Sequence, residues 1–258
     1  NAFLIMDKSI RAVVLDIEGT TTPISFVTNV LFPFVVKNVE DFLLNTWTIS
    51  ETQNNVESLR QQAAIDVKEF GTAVPQILPE DTVPASKTLR SVVDNVIWQM
   101  SLNRKTTALK ELQGMIWING YESGEIKGLV FEDVKPALDK LQNLEKNIYI
   151  YSSGSVAAQK LLFKYSEVGD MLPYFNGHFD TKIGSKNDPA SYKSIANYIN
   201  CNPEEILFLT DVEYEANAAT SAGFQVCVVL RPGNKLIDAE NLKCFKTISN
   251  FSELFNSS

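Results

Sequence analysis

Residues 13–22, VVLDIEGTTT, constrain this chain more than any other stretch. The apolar run Val13, Val14 and Leu15 ends abruptly in Asp16 and Glu18, followed by Gly19 and three threonines. A short apolar run of this kind is the signature of a buried strand. One that ends in charge has reached the edge of its sheet, where a carboxylate stays hydrated or meets a cation. In an extended strand residues i and i+2 point the same way, so Asp16 and Glu18 are expected on one face and in one small volume. Two carboxylates that close repel each other unless a proton or a metal ion lies between them. Taken alone, the fragment also fits a plainer reading, a strand end whose acids cap the next helix while Gly19 makes the turn.

The pattern further along decides the architecture. From about residue 127, helix and strand alternate: a helix over 134–144 with Pro136 in its first turn, a strand NIYIY over 147–151 ending in Ser152, Ser153 and Gly154, and a helix over 156–165. A strand is expected over 179–183 with Lys186 in the loop after it, then a helix opened by Asp188 and Pro189 that runs to Ile199. ILFL over 206–209 reads as a buried strand ending in Thr210 and Asp211, followed by a helix over 213–222, a strand over 226–230, and one more strand and helix in the tail. Such alternation implies an α/β fold, a doubly wound parallel sheet with right-handed crossovers. Residues 1–22 and 127–258 are assigned to this core, and residues 23–126 to a helical cap inserted after the first strand.

Within that insertion, residues 23–47 read as one or two helices bent near Pro33, and residues 50–70 as a helix with Ser50 at its N-cap and Leu59, Ala63 and Val67 on one face. Pro75, Pro79 and Pro84 mark a loop, and helices are expected over 89–100 and 106–120. Between them Trp98, Met100, Arg104 and Lys105 mix apolar and cationic groups. That cluster suits helix packing and a solvated turn, and it is also a candidate for substrate specificity.

Four core strands thus end in polar groups: Asp16 with Glu18, Ser152 with Ser153, Lys186, and Asp211. In a doubly wound sheet, ligands bind beyond the carboxyl ends of the strands, so these groups are placed in one crevice. Asp16, Glu18 and Asp211 are hard oxygen donors of the kind Mg²⁺ takes, one ion per chain. Ser152, Ser153 and Gly154 offer hydroxyls and amides at a helix N-terminus, which favours an anion, and Lys186 adds positive charge. A phosphate ester held there would be open to attack by Asp16 as a carboxylate nucleophile, with Glu18 as general acid and then base. Each part has its own plain alternative: the serines and Asp211 as helix caps, Lys186 as a solvated lysine. All four falling at successive strand ends is a poor match to chance.

Composition narrows the field. A net charge of −8 disfavours nucleic acid or an anionic membrane as partner. Cys201, Cys227 and Cys244 show no paired spacing, which points to reduced, intracellular thiols; the expected setting is the cytoplasm, with the nucleus as a second. The single histidine, His178, sits in what reads as a turn before a strand and is assigned a structural role; a histidine-rich metal site is out of reach.

DIEGT at Asp16, SSG at Ser152, Lys186, and TD at Asp211 resemble, in order and spacing, the four motifs of the haloacid dehalogenase-like phosphohydrolases, with Glu18 where that superfamily usually has Asp. DIEGTTTPISFV, WQMSLNRKTTALKELQG, YIYSSGSVAAQKLLF, GHFDTKIGSK and LFLTDV together resemble the acireductone synthases, the enolase-phosphatase family of methionine salvage, over nearly the whole chain. The resemblance implies Mg²⁺-dependent enolisation of 2,3-diketo-5-methylthiopentyl-1-phosphate followed by hydrolysis of its phosphate, giving acireductone. It implies Mg²⁺ at Asp16, Glu18 and Asp211, substrate at Ser152, Ser153 and Lys186, and this small phosphorylated diketone as the partner; a monomer is expected. A broad-specificity phosphatase and a non-catalytic Mg²⁺- or phosphate-binding module are the competing readings.

Overall fold

The computed structural model describes residues 5–255; the first four and last three residues assigned to the core lie outside them. The chain divides into two compact units, one built from residues up to 27 and from 127 onward, the other from residues 28–126. The boundary expected after residue 22 therefore falls five residues early: the turn-like helix α1 (Ile24–Phe26) goes with the first unit.

That first unit is a six-stranded parallel sheet in the order β3-β2-β1-β4-β5-β6. Strand β1 (Ala12–Leu15) is buried at all four positions because it pairs on both sides, with β2 (Asn147–Tyr151) and with β4 (Ile206–Thr210). Leu15 sits opposite Ile150 on one side and Leu209 on the other. The chain leaves β1 outward through β2 to β3 (Gly177–Phe179), then returns to the other edge of β1 and continues through β4 and β5 (Gln225–Val229) to β6 (Lys246–Ile248). The strand order reverses at β1, so the crevice of a doubly wound sheet opens at its carboxyl end, where Asp16 follows.

Apolar faces of helices cover the sheet: α6 (Val134–Asn143) through Val134, Ala137, Leu138 and Leu141, α7 (Val156–Lys164) through Leu162 and Phe163, α8 (Pro189–Ile199) through Tyr192, Ile195 and Ala196, and α9 (Glu213–Ser221) through Ala216, Ala218 and Ala219. Tyr192 is the hub of an aromatic cluster, packed edge-on against Tyr151, Phe208 and Phe224 at centroid distances of 5.4, 5.3 and 5.7 Å. Its hydroxyl donates to the Lys186 carbonyl at 2.7 Å, and the Tyr151 hydroxyl donates to the Gly184 carbonyl at 3.0 Å. The core thereby fixes the loop that carries Lys186.

Several expectations shift. The third strand is Gly177–Phe179, earlier than 179–183, because residues 181–184 turn back on themselves through backbone bonds from Ile183 to Asp180 and from Gly184 to Thr181. His178 accordingly lies within a strand. The tail holds α10 (Ala239–Leu242) before β6 and a single short turn, Phe251–Phe255, after it.

The second unit packs α2 (Phe32–Thr46), α3 (Ser50–Phe70), α4 (Ala85–Ser101) and α5 (Thr107–Glu122). No bend is needed at Pro33: it occupies the first turn of α2, where a missing amide is tolerated, and a π-turn over Val27–Leu31 precedes it. Ser50 is the first residue of α3 and not its cap, a place taken by Ile49. The buried face of α3 is Val56, Leu59, Ala63 and Asp66, while Val67 is exposed. Asp66 accepts hydrogen bonds from Arg104 Nη2 at 2.6 Å and Gln62 Nε2 at 2.7 Å, and the guanidinium lies over the rings of Phe70 and Trp98. Arg104 and Trp98 are therefore tied into the packing of this unit. Met100 is half-buried and Lys105 exposed.

Because Asp66 is only 2% exposed, removing one partner leaves a buried charge unpaired. Arg104→Met should lower unfolding stability by roughly 2–3 kcal/mol, less than a fully buried pair because water still reaches the guanidinium. Chemical denaturation checks this; unchanged stability with weakened ligand binding would make Arg104 a ligand contact instead.

Candidate active site

Past Leu15 the backbone keeps the sheet ladder for one more residue, the Asp16 amide donating to the Leu209 carbonyl at 2.9 Å, and then folds into a tight turn. The Ile17 carbonyl accepts from the amides of Thr20, Thr21 and Thr22 at 3.1, 3.0 and 2.9 Å, and the Gly19 amide donates to the Thr22 carbonyl at 2.8 Å. All three threonines are fully buried. Gly19 has a φ of +76°, and a Cβ there would lie 2.3 Å from Asp211 Oδ2, so glycine is required both by conformation and by space. Asp16 and Glu18 consequently do not share a strand face. The strand has ended, and Glu18 lies in the turn, bridged to Thr22.

Asp16 is 4% exposed. Its Oδ1 accepts from Lys186 Nζ at 2.6 Å, and the same ammonium meets Glu215 Oε2 at 2.7 Å. Glu215 stands in the first turn of α9 and also accepts from the Thr210 hydroxyl at 2.8 Å. Burial alone would pull the lysine's pKa down, but the charges of Asp16 and Glu215 outweigh it and raise it. Two carboxylates for one ammonium leave negative charge in excess, and the pKa of Glu215 is raised by burial and by Asp16.

The excess is plainest at Asp211, just beyond β4. Its pKa is pushed up from 3.8 to about 7, first by burial and then by the charges of Asp16 and Glu215, and its Oδ1 is buried without a hydrogen-bond partner. Among the described residues no three His, Cys, Asp or Glu side chains gather into a ready metal cage, so Asp16, Glu18 and Asp211 do not form a preassembled three-carboxylate site. The structure offers something narrower: a half-buried carboxylate with an unsatisfied oxygen, beside a second carboxylate, in surroundings short of positive charge. That donor chemistry fits a small hard cation that keeps several waters.

On the other flank of β1, Ser152 follows β2 and is 4% exposed, and its hydroxyl accepts from the Gly154 amide at 3.3 Å. Ser153 is half-buried. Ser155, and neither of these two, caps α7, accepting from the Ala158 amide at 3.2 Å, while the Val156 amide is taken by Asp180 Oδ2 at 3.1 Å. Two amides at this helix start are thus already engaged, so an anion here would rely on the serine loop. Gln159 holds that loop, donating to the carbonyls of Gly154 and Phe179, both at 2.8 Å. His178 Nδ1 lies 3.2 Å from Gln159 Oε1, and burial, then Lys160, pushes the imidazole down to about 4, as suits a structural residue.

Residues 10–223 match the family model for haloacid dehalogenase-like hydrolases. Over 95% of its length the chain is 49% identical to enolase-phosphatase E1 of Anopheles gambiae, covering 82% of that protein. It is 48% identical to enolase-phosphatase E1 of Danio rerio, covering 98% of this chain and 97% of the relative. The chain belongs to the enolase-phosphatase E1 family. The crystal structure of the UTR4 protein of Saccharomyces cerevisiae superposes with a TM-score of 0.72 at 30% identity, over 93% of this chain and 98% of that one.

Within this haloacid dehalogenase-like fold, the structure brings Asp16, Lys186 and Asp211 together, sets Ser152 and Ser153 on the neighbouring strand end, and places Glu18 in the turn between. Sequence reading missed Glu215. The signal was an acid in the first turn of the helix after LFLTD, easily taken for a favourable charge at a helix N-terminus.

Asp211 binds its proton more tightly in the folded chain than in the unfolded one, so without metal its contribution to stability is greatest at low pH and is lost as pH rises from about 4 toward 7. Asp211→Asn should abolish this decline, raising stability at pH 7 in EDTA by something on the order of 2–4 kcal/mol relative to the parent. Paired denaturation curves at several pH values test it; parallel pH dependences would show that Asp211 ionises normally.

Proposed function

We propose that the chain is a bifunctional enolase-phosphatase, converting 2,3-diketo-5-methylthiopentyl-1-phosphate to acireductone and phosphate. The observation that carries this reading is the buried Asp16, oriented by Lys186 at 2.6 Å and set beside the charge-starved Asp211, in a chain of this family. We assign Mg²⁺ to the carboxylates of Asp16 and Asp211, with Glu18 adjoining. Once bound, the ion supplies positive charge that neutralises the phosphoryl group and polarises the neighbouring carbonyl oxygen.

The chain's own residues do the rest. Lys186 fixes one oxygen of Asp16, and we assign the other to attack on phosphorus. Ser152 and Ser153 hold phosphoryl oxygens through their hydroxyls and loop amides. As Asp16 attacks, the ester bond between phosphorus and oxygen breaks, and protonated Glu18 delivers its proton to the departing oxygen. The resulting carboxylate of Glu18 then takes a proton from water as that water attacks the aspartyl phosphate, releasing phosphate and restoring Asp16. In the preceding enolisation we assign Glu18 as the group that removes the carbon-bound proton.

Following enediol absorbance and free phosphate together tests the reading. Both signals should appear with Mg²⁺ and vanish with EDTA. Asp16→Asn should lower phosphate release at least about 10³-fold while the enediol still forms. Glu18→Gln should lower both. Release from many simple esters with no enediol would leave a broad-specificity phosphatase, and full-rate enolisation by Glu18→Gln would remove that residue as the base.

A further inference from the structure

The loop after β5 reaches back to the catalytic turn by two independent side chains. Arg231 Nε donates to the Thr20 carbonyl at 3.2 Å, and Asn234 Nδ2 donates to the Gly19 carbonyl at 2.8 Å. These are successive carbonyls of the turn that carries Glu18. The loop itself is anchored: Arg231 is 8% exposed, pairs with Asp133 at 2.9 Å, donates to the Ser249 carbonyl at 3.1 Å, and lies over the rings of Phe131 and Phe251. Asp133 in turn accepts from the Phe251 amide. The Asn234 amide donates to the Arg231 carbonyl at 3.2 Å, so the two arms move as one piece.

Gly19 is the soft point of the turn, because its positive φ is one of several that glycine adopts readily. With its carbonyl held by Asn234, the peptide plane after Gly19 is fixed, while the Gly19 amide, bonded to the Thr22 carbonyl at 2.8 Å, fixes the plane before it; the two bonds together restrain the backbone beside Glu18. Asn234 Oδ1 is buried without a partner and lies 3.0 Å from where a Cβ on Gly19 would sit, so the same side-chain amide is also packed against the glycine.

We propose that Arg231 and Asn234 form a positioning clamp on the catalytic turn, with Asn234 setting the placement of Glu18 for proton transfer. The inference rests on the role assigned to Glu18 above. A clamp of this kind affects the step Glu18 performs and leaves phosphate binding by Ser152 and Ser153 and the Lys186 bond to Asp16 in place.

The test is a double-mutant cycle on phosphate release from the diketone phosphate. Asn234→Ala should lower kcat about 10- to 100-fold with KM changed less than about threefold, and should cost far less in a Glu18→Gln background, since the residue being positioned is then already disabled. The nearly isosteric Asn234→Asp, which keeps the packing but deletes the donor, should show the same non-additivity. Equal losses in both backgrounds, or a loss confined to KM, would overturn the proposal. Amide hydrogen exchange of the EDTA-treated protein reads the clamp without turnover: amides of residues 19–22 should exchange faster in Asn234→Ala, and unchanged exchange would overturn it. Should the unsubstituted protein release no phosphate, the functional reading fails, and the exchange result alone decides whether the clamp exists.

Discussion

The ion cluster of Lys186 between Asp16 and Glu215 is the interaction on which the site depends. None of the three is more than 8% exposed in its side chain, so each would be costly to bury alone. A buried lysine with one carboxylate would be neutral overall; with two, the cluster carries net negative charge in a poorly hydrated place. Burial, together with these carboxylate charges, raises the pKa of Asp211, which is adjacent and keeps an unsatisfied oxygen. The same cluster orients Asp16. One arrangement thus holds Asp16 in place and, in the reaction proposed above, accounts for the cation assigned beside it.

The fold delivers these groups from separate directions. Asp16 comes from the central strand, Asp211 and Glu215 from its neighbour β4 and the helix after it, and Lys186 from a loop fixed by the hydroxyls of Tyr151 and Tyr192. Those tyrosines belong to the aromatic core, so packing between sheet and helix α8 also places the Lys186 ammonium. A mutation in that core need not touch the substrate to misplace Lys186. The serine loop is supported in the same way from the opposite side by Gln159 and His178.

Much of this was legible in the sequence because buried parallel strands are short apolar runs, and a polar residue at the end of such a run is conspicuous. Asp16, Ser152 and Asp211 each follow one, and Lys186 follows a third strand that begins two residues and ends four residues before the expected span. What remained hidden depends on contacts between segments far apart in sequence. Glu215 is an ordinary helix-start acid until the Lys186 loop is folded against it. The geometry of Glu18 was misread because a strand rule was extended past the strand's end, where Gly19 and the Ile17 carbonyl impose a turn. The roles of Ser155 and Asp180 as the partners of the α7 amides, and of Arg231 and Asn234 as partners of the turn, are likewise side-chain to backbone bonds that no local pattern announces. In the helical unit, periodicity located the helices well, but the buried Asp66 on α3 defied it, since an acid on an apolar face becomes sensible only with Arg104 as its partner.

In the reaction proposed above, Asp16 itself carries the phosphoryl group. Rapid acid quench of the Mg²⁺-loaded protein with phosphoryl-labelled diketone phosphate, followed by peptide mapping, measures this directly. Label is expected on the peptide containing Asp16, appearing before free phosphate and decaying no more slowly than turnover. Phosphate released at full rate with no protein-bound label at any time, or label on a different residue, would contradict it.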